Sequence, residues 1–269
     1  MSKSKIELTA ETWNPIVGCD KVSPGCKNCY AERMSARLQA MGVKKYQGVV
    51  DENGRWTGEV RLDRDSLDIP TKRRKPTMYF VNSMSDLFHE KLSDRYIASV
   101  YANMYSCKRH TFQVLTKRPE RALRWYERLC YPHDTNEVNL QRFMYDLKIG
   151  PGKESWPIQN VWLGTSVESA PYKHRIDTLR QVPAAVRFLS LEPLLGDLGT
   201  LNLEGIHWVI AGCESGPKKR DCNPDWIRNI RDQCAEQGVP FFLKQMNIGG
   251  MVMHLPELDG KTHREYPEV

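Results

Sequence analysis

From residue 77 onward, short apolar runs alternate with polar or amphipathic stretches: TMYFVNS, TFQVLTK, VWLGTSV, VRFLSLE, HWVIAG and PFFLKQ. Apolar runs of this length, bounded by turn residues, predict strands buried on both faces. The stretches between them predict helices. Ser93 caps one that carries Ile97, Val100, Tyr101 and Met104 on a single face. Asn223-Pro224 opens another with Trp226, Ile227, Ile230 and Cys234, ended by Gly238. Upstream, YAERMSARLQAM reads as a helix stopped by Gly42. Strands separated by helices imply an α/β protein with a parallel sheet. With a first strand near TWNPIVG, the pattern suits a partial or complete parallel (β/α) barrel of six to eight units. A doubly wound sheet is the alternative, although no G-x-G-x-x-G follows the first strand. The whole chain, 1–269, reads as one barrel domain with two insertions. Residues 44–65 contain a predicted hairpin around Asn53-Gly54, and residues 131–158 form an insertion expected to act as a lid.

The runs share a further feature: each ends in polar residues. The tips are Asn82, Ser83, Ser85 and Asp86; Thr116, Lys117 and Arg118; Ser166 and Glu168; Ser190 and Glu192; Glu214 and Ser215; Lys244 and Gln245. In a parallel barrel these tips converge on one rim, where active sites lie. They read alternatively as helix caps and loop hydrogen bonds, which suits Ser85 and Ser190. That alternative strains for Glu192, Glu214 and Lys244, because a charge directly after a buried strand is costly unless paired or used.

Composition narrows the picture only a little. The 269 residues are 40% hydrophobic and 27% charged, as for a globular protein. No run approaches about 18 apolar residues, and MSKSKIELTAETW has no signal-peptide core. A cytoplasmic protein away from any membrane is therefore expected, with cysteines as thiols or metal ligands rather than disulfides. The net charge of +6 and the TKRRK cluster at 71–75 favour an anionic partner such as nucleic acid, although the cluster by itself reads more readily as a solvated loop than as a phosphate-facing patch.

The chemistry concentrates in GCDKVSPGCKNCYAERM, residues 18–34, which holds Cys19, Cys26 and Cys29. Three thiols fall one short of a closed metal site. Zinc completed by a distant fourth ligand is one reading, but the nearest histidine is His89 and no second cysteine pair follows. A [4Fe-4S] cluster with one iron left open is the other, and Gly18, Pro24 and Gly25 supply the turns to wrap it. Spacing favours the cluster over zinc. The remaining cysteines, 107, 130, 213, 222 and 234, read mostly as small buried apolar residues.

WNPIVGCDKVSPGCKNCYAERM resembles the signature of the phage and prophage three-cysteine-motif proteins, themselves similar to radical S-adenosylmethionine enzymes. FVNSMSDLFHE, FQVLTKRPER, NVWLGTSVE, RFLSLEPLLG, VIAGCESGP, DWIRNIRDQCAEQGVPFFLKQ and LPELDGK extend the resemblance, in order, over nearly the whole chain. There are departures. The common trio is C-x3-C-x2-C, whereas six residues separate Cys19 from Cys26; Asn28 stands where an aromatic is usual; Cys213 replaces a second glycine.

The resemblance implies that Cys19, Cys26 and Cys29 hold a [4Fe-4S] cluster whose open iron chelates S-adenosylmethionine. Reductive cleavage would give a 5′-deoxyadenosyl radical that takes a hydrogen atom from an unactivated carbon. It implies that Asn82, Ser83, Ser85 and Asp86 hold the methionine amino group. Ser166, Glu168, Ser190 and Glu192 are then candidates for the ribose hydroxyls and the methionine carboxylate region. Lys117 or Arg118 would meet a carboxylate, and Glu214, Lys244 and Gln245 would contact substrate. A one-electron donor such as flavodoxin or ferredoxin is implied, in a bacterial host cytoplasm if the chain is phage-encoded. The expected substrate is an already modified pyrimidine in DNA, rearranged or functionalised after being flipped out. Trp56, Trp156 and Tyr172 are candidates to stack on it, and Trp13 and Tyr30 to shield the cluster. The alternatives are a zinc-stabilised nucleic-acid-binding protein without catalysis, or a cluster enzyme acting on a metabolite or peptide.

Overall fold

The computed structural model describes residues 9–131, 134–147 and 156–268. Eight strands form one curled half-barrel sheet. In spatial order they are β1 (Glu11–Trp13), β4 (Met78–Val81), β5 (Thr111–Thr116), β6 (Val161–Ser166), β7 (Val186–Leu191), β8 (Trp208–Gly212), β9 (Phe241–Ile248) and β10 (Met251–His254). Every pairing is parallel except β9 with β10. All six apolar runs of the sequence are strands. The predicted first strand splits in two: β1 joins the sheet, while β2 (Ile16–Val17) turns away and pairs antiparallel with β3 (Arg61–Leu62). β10 was not foreseen, because its Met251 and Met253 are exposed and give no buried alternation.

The two faces of the sheet carry different cores, as the period of two along a strand dictates. Val81, Val114, Leu163, Leu189, Val209 and Leu243 point outward into one large core shared with the helices. Those helices are α3 (Asp94–Ser106), α4 (Pro119–Cys130), α6 (His174–Gln181) and α7 (Pro224–Glu236); α1 (Tyr30–Ala40) and the short α2 (Ile69–Lys72) precede them. Ser93 caps α3 by accepting from the Tyr96 amide, and Asn223 caps α7 from Asp225, as read from sequence.

The inner face holds a second cluster of Trp162, Val186, Phe188, Trp208, Ile210 and Phe242. Trp208 lies at its centre, with the rings of Trp162, Phe188 and Phe242 about 6 Å away. Gly164 is required here, since a Cβ would overlap the Phe188 ring. These aromatics plug the half-barrel and make a dry floor, each such burial being worth roughly 1.5–3 kcal/mol.

The insertions depart from expectation. Of the long hairpin only a tight turn forms: Val50 bridges Trp56, and the Asp51 carboxylate accepts from the amides of Asn53 and Arg55. In the second insertion, α5 (Thr135–Asp146) buries Leu140 and Met144 against α3 and α4. It therefore belongs to the outer helical layer and not to a lid; residues 132–133 and 148–155 lie outside the described residues. No helix among the described residues is long and apolar enough to cross a membrane.

A C-terminal hairpin, β11 (Glu257–Leu258) and β12 (Lys261–Thr262), is tied to α7 through Asp259. Hydrogen bonds from Arg228 and then Arg231 hold that carboxyl down at about 2. A depressed carboxyl contributes stability above its unfolded value of about 3.9, and that contribution fades as pH falls through the folded value. Thermal melts of the wild type and Asp259→Asn are expected to differ near neutrality and to converge toward about pH 2. A difference that persists in acid rejects the tie.

Candidate functional site

The same alternation that builds the floor builds the site above it. Following each inward floor residue by two places gives Asn82 after Phe80, Lys117 after Leu115, Ser166 after Gly164, Ser190 and Glu192 after Phe188, and Lys244 after Phe242. All of them line one cavity of about 320 Å³ at the C-terminal ends of the strands. Between β8 and β9 the register shifts, with Ala211 opposite Leu243 but Gly212 opposite Gln245. This bulge lets consecutive residues, Lys244 and Gln245, both reach the cavity. The loop after β2 brings Cys19, Cys26 and Cys29 to its mouth. Of the cysteines and strand-tip residues singled out in the sequence, Glu168 alone is absent from the lining; it is fully buried just behind it.

Being at the cavity does not mean being free to bind, and the hydrogen bonds separate the two. Four of the expected ligand contacts are spent on protein. Asp86 accepts from the Phe88 and Lys117 amides, the Thr116 hydroxyl and the Arg118 guanidinium at 3.1 Å. Arg118 also pairs with Asp20 and approaches the Cys19 sulfur at 3.9 Å, while His89 Nε2 lies 3.0 Å from Asp20. Arg118 and Asp86 thus brace the first cysteine. Glu168 is bound by Arg175 at 3.2 Å and accepts from the Gly25 amide at 3.4 Å, so it props the cysteine loop. Glu214 accepts from Arg220 at 2.5 Å and from Asn28 at 2.9 Å, and Arg220 also donates to the Pro24 carbonyl. Burial raises the Glu214 carboxyl, but bonds from Arg220 and then Asn28 outweigh it, and the pKa falls below the usual glutamate value. Through Asn28 and Arg220 it clamps the loop that carries the second and third cysteines.

Ser83 and Ser85 are also spent, on Asn14 and on the Ile16 carbonyl. Asp20, Asn28, Arg175 and Arg220 were missed by sequence reasoning. Asp20 and Asn28 sit beside cysteines and were legible in principle; the two arginines gave no signal.

The remaining polar groups of the lining are Asn82, Lys117, Ser166, Ser190, Glu192, Lys244 and Gln245. Asn82 is buried in the left-handed region (φ 59°), and neither its Oδ1 nor its Nδ2 has a partner among the described residues. Glu192 Oε2 pairs with Lys244 Nζ at 3.0 Å and accepts from Ser190 at 3.4 Å, but its Oε1 is buried without a partner. That carboxylate lies on the backbone of Gly212, where a Cβ would come within 2.5 Å of it. Gln245 donates to the Cys213 carbonyl at 2.6 Å. Lys117 Nζ stands 4.0 Å from Glu168 and remains available to an anion.

The aromatic candidates divide likewise. Trp56 and Tyr30 line the cavity, and Tyr30 is 56% exposed. Trp156 packs among Tyr101, Trp125 and Tyr126, and Tyr172 stacks on Arg175, so neither lines it. Trp13 is core, donating to the Ser66 carbonyl. The TKRRK cluster precedes β4 and lies at the opposite end of the barrel, with Lys72 paired to Asp68 and Arg73 to Glu11.

Among the described residues no three His, Cys, Asp or Glu side chains converge as a single-ion site. The three thiols instead ring the mouth. Burial, and then the Asp86 carboxylate, push the Cys19 thiol up to about 12 against the pull of Arg118, and burial raises Cys29 as well. Thiols so placed become thiolates only beside a strong positive charge such as a metal centre. Asn82 and Glu192, whose unpartnered atoms are buried among the described residues, line the same cavity as the three thiols.

Comparison with curated proteins returned no match, and neither did comparison with solved structures. A family model described as Protein of unknown function (DUF5131) matches residues 3–267, and the chain belongs to that family.

Proposed function

We propose that this protein is a radical S-adenosylmethionine enzyme. Cys19, Cys26 and Cys29 hold a [4Fe-4S] cluster, and the cavity beneath takes S-adenosylmethionine and a substrate carbon. One observation carries the reading: three cysteines and the polar tips of six strands, β4 to β9, face a single cavity that contains buried polar groups with no partner among the described residues. When bound, the cluster supplies the one electron that splits the sulfonium bond of S-adenosylmethionine, and the resulting radical takes a hydrogen atom.

The chain's own residues position and insulate. Asn82, open at both polar atoms, meets the methionine amino and carboxylate groups, and Lys117 is placed for the carboxylate. Ser166 lines the ribose side. Glu192, Lys244, Ser190 and Gln245 offer donors and acceptors to a substrate, and the aromatic floor excludes water from below. That polar set and the aromatics Tyr30 and Trp56 suit a pyrimidine base extruded from DNA.

Anaerobic reconstitution is expected to give a brown protein with about four irons and four sulfides per chain. Its electron paramagnetic resonance signal after reduction should shift when S-adenosylmethionine is added. A colourless protein that retains zinc, or a signal indifferent to S-adenosylmethionine, rejects the reading.

A further inference from the structure

The surplus positive charge of the chain is not spread evenly around the cavity mouth. α1 starts at the mouth, and Tyr30, Arg33 and Arg37 fall on one exposed face of it. The loop after β8 approaches that face: the Arg33 guanidinium lies against Gly216, where a Cβ would overlap it, and the Lys218 carbonyl accepts from Asn28 at 2.8 Å. Lys218 is exposed, Lys219 half-buried, and Lys27 projects from the cysteine loop between them. None of these five cations has an ion-pair partner among the described residues.

The acids that might neutralise them are engaged elsewhere, Glu32 with Lys21 and Glu214 with Arg220. Asp221 is the acidic neighbour that remains in the loop. Clustered cations with no partner repel one another and are tolerated where an anion visits. Tyr30 adds an exposed aromatic ring at the cavity entrance, a face on which a base can stack.

We infer that the strip Lys27–Arg33–Arg37–Lys218–Lys219 is the track for a nucleic-acid backbone, with Tyr30 stacking on a base next to the one that enters the cavity. This rests on the proposed function for what happens inside the cavity, but the track is a separate surface. Arg33 and Arg37 are about 6 Å apart along the helix axis, a spacing over which a polyanionic backbone meets both cations at once. The exposed TKRRK residues at the far pole, Arg74 and Lys75, take no part.

The test is binding of a fluorescently labelled single-stranded DNA oligonucleotide across a salt series. The wild type is expected to lose affinity with salt. Arg33→Gln/Arg37→Gln/Lys218→Gln should weaken binding and lower the slope of log K against log salt by about 2, at about 0.7 per lost contact. Tyr30→Ala should weaken binding roughly 5- to 100-fold, while Tyr30→Phe keeps the wild-type value. Arg74→Gln/Lys75→Gln should bind as the wild type. Unchanged thermal melts establish that each variant is folded. The track is overturned if the triple variant keeps the wild-type slope, if the far-pole variant loses as much, or if the wild type does not bind. Cluster content and S-adenosylmethionine cleavage, measured on the same samples, report on the proposed function independently. A protein that cleaves S-adenosylmethionine but ignores DNA loses only the track.

Discussion

Cys26→Ala is expected to give a folded protein that holds no iron–sulfur cluster and does not cleave S-adenosylmethionine. Cys26 is the buried member of the trio and closes the one-turn helix Pro24–Cys26. The backbone of that turn is held by other residues. The Gly25 amide donates to Glu168, the Pro24 carbonyl accepts from Arg220, and the Cys26 amide donates to the Ser23 carbonyl. Removing one sulfur therefore costs the apo-chain on the order of 1 kcal/mol, while a cluster left with two thiolates is lost. Iron content and 5′-deoxyadenosine formation after anaerobic reconstitution are the readouts. Cys234→Ala serves as the control, since that thiol faces the core from α7 and should keep full iron. Cleavage retained in Cys26→Ala removes this residue from the ligand set and the mechanism with it.

The second large effect is on stability. Arg175→Met should destabilise the protein by about 3–5 kcal/mol, because it strands the Glu168 carboxylate in a site that is 0% exposed. Besides its bond to Glu168, Arg175 donates to the Ser166 carbonyl at 3.0 Å and stacks on Tyr172 at 4.4 Å. A methionine fills the volume but supplies none of the charge. At this chain length the loss corresponds to a melting temperature lower by roughly 6–20 °C. Glu168→Gln/Arg175→Met should recover most of it, since an amide at position 168 still accepts from Gly25 without burying a charge. Equal melting of Arg175→Met and wild type shows that Glu168 is protonated or solvated, and the prop argument fails.

The strand cores were legible because their signal is local. TFQVLTK, VWLGTSV and VRFLSLE place apolar residues on both strand faces, which a strand covered on both faces demands, and they became β5, β6 and β7 in turn. The positions of polar tips were legible for the same reason, since a period of two carries the inward direction past the floor to the rim. What those tips do was not. Arg118, Glu168 and Glu214 read as ligand contacts, yet each is engaged by a group brought near by folding: Asp20 lies 98 residues from Arg118, the Gly25 amide 143 from Glu168, and Asn28 186 from Glu214. Periodicity carries no record of such pairings. The expected lid failed for a related reason: Leu140 and Met144 give α5 a buried stripe, but nothing local says which surface it covers. TKRRK misled by composition, because a basic cluster names no pole of the barrel and this one precedes its strand.

The separation of floor from tips has an evolutionary consequence. The rings around Trp208 keep the fold standing, and they sit one layer below the side chains that meet a ligand. Exchanging Ser190, Lys244 or Gln245 leaves that lower layer intact, so a lineage can change what it recognises one position at a time without passing through unfolded ancestors. Gly212 is the exception: any side chain there dislodges Glu192, which makes this backbone position the hardest to drift.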